Sequence, residues 1–280
     1  MNPVLVGLLG EGILSSKSPL LHQCEAESQH LKLIYTLYDF AALGKTGKDL
    51  IKFLEAAELL GFSGLNVTHP FKQVIIPLLD ELSEDAKSIN AVNTVVFKDN
   101  KKIGYNTDFL GFRDAFNTEL SDANLAKVVQ LGAGGAGSAV ATAILTLGAD
   151  QLLIHDKDMN RAKSLAWSLN KNFGTGKAFA IGDTHDEMLT ADGLINTTPV
   201  GMAAHPGIPI NVNTLRPDLW VADIIYFPIE TELLKEAKTL GCKTMGGGSM
   251  AVYQAAKAFE LFTGLSANKE RMLSRFKASY

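Results

Sequence analysis

"KVVQLGAGGAGSAVATAILTLGADQLLIHDKD", residues 127–158, decides the fold class. The apolar run Lys127–Leu131 stops at a glycine cluster. A stretch of small residues with helical character follows, and then a second apolar run, Leu152–His155. Strand, turn, helix and strand in that order mark a βαβ unit, and hence a parallel sheet. Gly132, Gly134 and Gly137 satisfy G-x-G-x-x-G, with Ala133, Gly135 and Ala136 filling the turn. Alone, such a run is a tight turn with no ligand. Asp156 adds to it: it closes the second strand 19 positions after Gly137, where a dinucleotide-binding fingerprint needs an acid. The first glycine makes the turn, and the second lets the backbone approach a pyrophosphate. The helix N-terminus offers unpaired N–H groups and a positive dipole end to that anion. A carboxylate at Asp156 can bind both ribose hydroxyls. It would repel a 2′-phosphate, and Asp158 adds to that, whereas Lys157 or Arg161 could pair with one. NAD is therefore expected over NADP.

Upstream, strand and helix signals also alternate. "VLVGLLG" (4–10) is an apolar run ended by glycines, and "LIYTLYDF" (33–40) is rich in β-formers. "SPLLHQCEAESQ" (18–29) reads as a helix with Ser18 as N-cap and Pro19 at its first position. "DLIKFLEAAELLG" (49–61) reads as a helix capped by Asp49 and stopped by Gly61. "SGLNVTHPFKQVI" (63–75) is a strand halted at His69-Pro70, just before Lys72. "AVNTVVF" (91–97) and "KIGYNTD" (102–108) flank a hairpin turn, "KDNK". Residues 1–108 thus form an α/β unit of at least five strands, with a helix starting near Phe109. Downstream, 193–202 and 219–226 are read as strands, and 231–241 and 250–264 as helices. The segment 202–217 is a loop with Pro206, Pro209 and Pro217. The expectation is an α/β protein of two domains around a cleft, with the last helix crossing back to the first domain.

Composition bounds the function. The 280 residues suffice for two modest domains, and 46% hydrophobic with 20% charged residues is ordinary for a globular chain. A net charge of -4 argues against nucleic acid or a membrane surface as partner. Cys24 and Cys242 make neither a disulfide framework nor a metal spacing, which suggests a reducing compartment. No stretch reads as a membrane span or a signal peptide, so a cytoplasmic location is expected. No pair of the six histidines has metal-ligand spacing, so no metal is assigned. His69 reads as a supporting residue rather than a base.

Four polar clusters sit at expected strand ends or loops: Ser16-Lys17-Ser18, Asn66-Val67-Thr68 with Lys72, Asn93-Thr94, and Asn106-Thr107-Asp108. Each has a plain alternative: a cap, ordinary strand polarity, or, for Lys72, a solvated charge. Ligands of α/β sheets bind outside the carboxyl ends of the strands. The clusters supply hydroxyls, amides, a cation and a carboxylate, which suits a small hydroxylated or carboxylated substrate. A lysine and an aspartate near one hydroxyl can exchange its proton while a nicotinamide carries the hydride.

In their order, "SSKSPLLH", "NVTHPFK", "AVNT", "NTD", "GAGGAG", "NTTPVGM" and "YQAAKAFELFTG" resemble the shikimate dehydrogenase family over almost the whole chain. "GLNVTHPFKQ", "GMAAHPG" and "IETELLKEAKTLGC" are similar in particular to its NAD-using quinate/shikimate branch. The resemblance implies reversible NAD(P)-dependent hydride transfer between 3-dehydroshikimate and shikimate, and in that branch 3-dehydroquinate and quinate. It implies Lys72 as the catalytic acid/base with Asp108 as its partner, and Ser16 and Ser18 on the substrate carboxylate. Asn66, Thr68, Asn93 and Gln254 would bind ring hydroxyls and carboxylate, with Tyr226 nearby. The glycine turn and the stretch Asp156–Arg161 would bind the cofactor, Thr197 and Ile224 would flank it, and Gly247 would lie near the nicotinamide. It further implies a discontinuous substrate domain, 1–108 with 246–280, and a Rossmann-type domain, 109–245, in a monomer or homodimer.

Three positions depart from the family pattern. Many NADP-dependent members carry Asn-Arg-Thr where this chain has Asp156-Lys157-Asp158. Gly246 replaces an acid before the late helix, which predicts a looser loop there. Phe109 stands where biosynthetic members often have glycine. Three readings compete with the NAD-linked one: a biosynthetic NADP-dependent shikimate dehydrogenase, a dinucleotide-binding regulator without turnover, and an S-adenosylmethionine enzyme with a glycine-rich turn, which explains neither Lys72 nor the first domain. The second would predict loss of the Lys72/Asp108 pair, and both residues are present.

Overall fold

The structure, a computed structural model, describes residues 3–279. Two compact units divide the chain: residues 1–107 with 252–280, and residues 108–251. The strands of the first are β1 (Val4–Gly10), β2 (Leu33–Asp39), β3 (Phe62–Val67), β4 (Glu81–Leu82), β5 (Thr94–Lys98) and β6 (Lys101–Tyr105). The intervening helices are α1 (Ser18–Ser28), α2 (Leu50–Leu59), the single turn α3 (Phe71–Val74) and α4 (Glu84–Ile89). The second unit carries α5 (Thr107–Glu119) from Asp108 onward. It then runs β7 (Lys127–Leu131), α6 (Gly135–Thr146), β8 (Gln151–His155), α7 (Met159–Phe173), β9 (Ala178–Ala180), α8 (His185–Met188) and β10 (Gly193–Asn196). β11 (Trp220–Asp223), α9 (Glu232–Thr239) and β12 (Lys243–Gly246) complete it. α10 (Gly247–Thr263) passes into the first unit at Val252, and α11 (Lys269–Lys277) ends the described chain.

The first sheet has the order β2-β1-β3-β5-β6-β4. β1 is parallel to both β2 and β3, whereas β5 is antiparallel to β3 and β6. Asp99 and Asn100 both take positive φ, 52° and 58°, as a two-residue hairpin with right-handed strand twist demands. One face of this sheet buries Leu9, Leu65, Val67 and Val95 with Leu54 of α2 and Phe71 of α3. The other face buries Val6, Leu8, Tyr35 and Val96 with Phe259 and Phe262 of α10. Leu21, Val252, Ala256, Met272 and Phe276 join α1, α10 and α11.

The second sheet is parallel throughout, with the order β12-β11-β10-β7-β8-β9. Its first strand, β7, lies in the middle, with the next two strands on one side and the last three on the other. That is the doubly wound dinucleotide-binding topology. Its switch point lies between β7 and β10, beside the glycine turn.

Several expected boundaries move, each for a local reason. Ser18 is not the cap of α1 but its first residue, because Lys17, with αR backbone angles, takes the cap position. The Ser16 hydroxyl accepts the Ser18 N–H instead, at 3.2 Å. Asp49 does not cap α2. Its carboxylate reaches back to the Thr46 N–H at 2.9 Å, completing a capping box on a 3₁₀ turn at Gly47–Asp49. The strand expected over 91–97 begins at Thr94, and the helix expected near Phe109 begins at Thr107. The strands expected over 193–202 and 219–226 end early, at Asn196 and Asp223. Each of these side chains takes an N–H two residues on, Thr198 at 3.0 Å and Ile225 at 3.1 Å, and so turns the chain. The looser loop expected at Gly246 is absent: Gly246 ends β12, and α10 starts at once with Gly247. A Cβ on Gly247 would lie 2.2 Å from the Ile224 carbonyl oxygen, so only glycine lets the helix start so close to the chain leaving β11.

Candidate active site

In the first unit, a single hydrogen-bond network joins the polar clusters. The Ser16 hydroxyl donates to that of Ser18 at 3.1 Å, and Ser18 in turn donates to the Tyr35 phenol. Tyr35 donates to Asn66 Oδ1 at 2.9 Å, and Asn66 Nδ2 donates to Thr94 Oγ1 at 3.0 Å. Asn93 Oδ1 accepts the Thr94 hydroxyl at 3.1 Å and the Thr107 N–H at 2.7 Å. Thr107 Oγ1 then donates to Gln254 Oε1 at 3.3 Å. The sheet dictates this assembly. Asn66 is the last residue but one of β3, and Thr94, which pairs with it across the antiparallel ladder, opens β5. Tyr35, Asn66, Asn93, Thr94 and Thr107 are all buried. A buried polar group must find partners, and here they find one another. Burial pushes the Tyr35 phenol well above its ordinary value, against a smaller opposing effect of the Ser18 bond, so it serves as a neutral donor.

Lys72 is half-buried in α3. Its neighbour Phe71 is anchored in the core against Phe40, ring centroids 5.2 Å apart. The Lys72 carbonyl accepts the Val92 N–H at 2.8 Å, which ties α3 to the segment leading into Asn93. Thr68, half-buried, donates its N–H to the Leu9 carbonyl at 2.9 Å. His69 is exposed, and its carbonyl accepts the Glu11 N–H at 3.0 Å, which holds the loop that carries Ser16.

In the second unit, Asp108 is half-buried in the first turn of α5. The Tyr226 phenol is pushed above its ordinary value, by loss of solvent first and by the Asp108 carboxylate second. The residue nevertheless keeps 46% of its surface exposed. The buried Asp223 carboxylate accepts from Asn196 Nδ2 at 3.1 Å and from the Thr231 hydroxyl at 2.8 Å. It thereby clasps the two loops that carry Thr197, Ile224 and Tyr226.

The glycine turn follows β7 as expected. Gly132 has φ +97°, and a Cβ there would lie 2.7 Å from Thr197 Oγ1. A Cβ on Gly137 would lie 2.6 Å from the Gly132 carbonyl oxygen. Both positions are closed to any side chain. At Gly134 a Cβ would meet nothing within 4 Å, so the backbone there faces open space at the N-terminus of α6. Thr197 Oγ1 donates to the Leu131 and Gly132 carbonyls, at 2.7 and 3.0 Å. Asp156 stands against the turn, its carboxylate accepting the Ala133 N–H at 2.8 Å and the Asp158 N–H at 2.9 Å. Lys157 and Arg161 are exposed, and Arg161 Nε lies 3.7 Å from the Asp158 carboxylate.

Sequence reasoning thus named most of the polar groups in these two clusters but passed over Tyr35, which joins the serines to Asn66. Thr94 and Thr107 were noted only as members of clusters. No group of three or more His, Cys, Asp or Glu among the described residues could hold a metal ion. No described helix is long and apolar enough to cross a membrane. A surface depression lined by Asp183, His185, Ile208 and Asn211 shares no residue with either cluster.

Residues 8–95 match the family model described as the shikimate dehydrogenase substrate binding domain, and residues 249–275 match that of the shikimate 5'-dehydrogenase C-terminal domain. The chain is 52% identical to the shikimate dehydrogenase (NADP(+)) of Streptomyces avermitilis, covering 96% of this chain and 94% of that one. It is 44% identical to the quinate/shikimate dehydrogenase (NAD(+)) of Corynebacterium efficiens, covering 98% and 97%. The quinate dehydrogenase from Corynebacterium glutamicum, solved in complex with NAD, superposes with a TM-score of 0.94 at 44% identity, over 99% of each chain.

Proposed function

We propose that this chain, which belongs to the shikimate dehydrogenase family, is an enzyme that reversibly oxidises a ring hydroxyl of shikimate, and of quinate, using NAD in preference to NADP. The observation that carries this reading is the network running from Ser16 through Tyr35, Asn66 and Asn93 to Gln254 in the first unit. It is neutral, rich in hydroxyls and carboxamides, and held rigid by burial, as a small polyol acid requires. Ser16 and Ser18 receive the carboxylate, and Asn66, Thr68 and Gln254 the ring hydroxyls. Asn93 places the network by holding the Thr107 N–H. Tyr226, raised in pKa and therefore neutral, adds a donor.

The second unit fits a dinucleotide. Open space above Gly134, the closed positions Gly132 and Gly137, and Gly135 and Ala136 opening α6 form a cradle for a pyrophosphate. Thr197 braces the turn from β10, and Ile224 with Gly247 forms the floor after β11. When bound, the nicotinamide supplies the hydride acceptor. Lys72 takes the proton of the reacting hydroxyl, or returns it in the opposite direction, with Asp108 as the second ionisable group of the reaction. Asp156 supports NAD: its carboxylate lies against the turn, where a 2′-phosphate would meet a like charge. Both cysteines are free thiols, consistent with a cytoplasmic enzyme.

The test is an initial-rate matrix of shikimate and quinate, each with NAD and with NADP. Turnover of shikimate with NAD at the higher kcat/KM is expected. A large preference for NADP would overturn the cofactor reading, and no turnover with any pair would overturn the reaction.

A further inference from the structure

β7 is an interior strand of a parallel sheet covered on both faces, a place that calls for aliphatic side chains. Val128, Val129 and Leu131 comply, but Gln130 does not, and it is wholly buried. Its carboxamide nitrogen donates to two carbonyl oxygens, those of Gly132 and Gly137, each at 2.9 Å. These carbonyls mark the entry of the glycine turn and the first turn of α6. Its oxygen, Oε1, is buried without a partner. Turning the amide over would set that oxygen against both carbonyls, so the observed orientation is the one the site allows. An aliphatic residue would fill the same space and bring no buried side-chain acceptor of its own. The glutamine is therefore not there for packing, and a local rule broken beside a binding site points to a role in that site.

From this we infer that Gln130 is a positioning residue for the dinucleotide: it clamps both ends of the glycine turn so that residues 133–136 are preset for a pyrophosphate. The inference rests on reading the turn as the dinucleotide site. The clamp acts where no side chain can intervene, since Gly137 lacks a Cβ that would otherwise lie 2.6 Å from the Gly132 oxygen. Thr197 holds the same Gly132 oxygen from β10, at 3.0 Å, so the turn is braced from two strands. A turn held in its bound shape loses less freedom when the ligand arrives, and affinity rises accordingly.

The experiment is a fluorescence titration of NADH onto the wild-type enzyme and onto Gln130→Met, which keeps the length but cannot donate. The variant should bind NADH about tenfold more weakly, because the turn must then be ordered when the ligand arrives. KM for shikimate at saturating dinucleotide should stay within about twofold. Gln130→Leu provides the same comparison should the Met variant fold poorly. NADH affinity within twofold of wild type in a folded variant overturns the clamp. Failure of the wild-type enzyme itself to bind NADH would instead overturn the dinucleotide reading of the turn.

Discussion

Tyr35 shows how much of a site rests on a residue that its own sequence context hides. In "LIYTLYDF" it is one β-former among several, and nothing in the string separates it from Tyr38. What separates it is register: Tyr35 pairs with Val6 across β1 and β2, faces the α1 and α10 side, and brings its hydroxyl to Asn66. Lys72, Asn66 and Asp108 stand out in the sequence because polar residues at the end of an apolar run are anomalous, and the family resemblance supplies their expected roles. Tyr35 does not, because a tyrosine in a strand is ordinary. Removing its hydroxyl while keeping the ring isolates the bond to Asn66. Tyr35→Phe should raise KM for shikimate about fivefold, in line with one buried neutral hydrogen bond, and leave KM for the dinucleotide unchanged. Steady-state kinetics with each substrate varied in turn decides this. Equal KM values for both enzymes would remove Tyr35 from substrate recognition.

Among the elements, the strand-turn-helix-strand of β7, α6 and β8 was the most legible. Glycine spacing and the acid at Asp156 are local signals that need no tertiary contact to be read. Element ends were less legible. Asn196 and Asp223 stop their strands with side-chain bonds to the backbone two residues on, and an apolar stretch that continues past such a residue conceals the stop. The start of α10 was missed for a related reason. A run of glycines reads as a loop unless one knows that the Ile224 backbone lies against Gly247. The three glycines of the turn differ in a way that can be measured. Gly134→Ala places its methyl in open space, so the variant should fold with an unchanged thermal midpoint. That methyl would occupy the approach of the pyrophosphate, and dinucleotide affinity should fall by about tenfold or more. Titration and thermal melting on the same sample test both halves. Normal affinity would mean that the phosphates do not sit over this turn.

For the whole molecule, the alternation of strand and helix signals implies the α/β class, but neither the strand order of the mixed first sheet nor the ties between distant segments follow from it. Glu25 and Arg271, 246 positions apart, form a two-pronged ion pair at 2.7 and 2.8 Å that pins α11 to α1 in the first unit. Burial raises the Glu25 carboxyl, but the bonds from Arg271, Asn268 and Gln29 outweigh it and hold the group below its ordinary value. A carboxyl with a lower pKa in the folded chain contributes its full stability above the ordinary glutamate value. That stability is lost as pH falls through the folded value. Glu25→Gln should therefore melt several degrees lower than wild type at neutral pH, with the gap narrowing as pH falls below about 4.5. Melting curves over a pH series check this, and a gap that stays constant with pH would assign the loss to packing alone. Lys72 belongs to the first unit and Asp108 opens the second. The most direct test of the account is kcat of Lys72→Ala in the oxidation of shikimate by NAD. A fall of about two orders of magnitude or more, with a much smaller change in KM, is the predicted result. A kcat within a few-fold of wild type would contradict it.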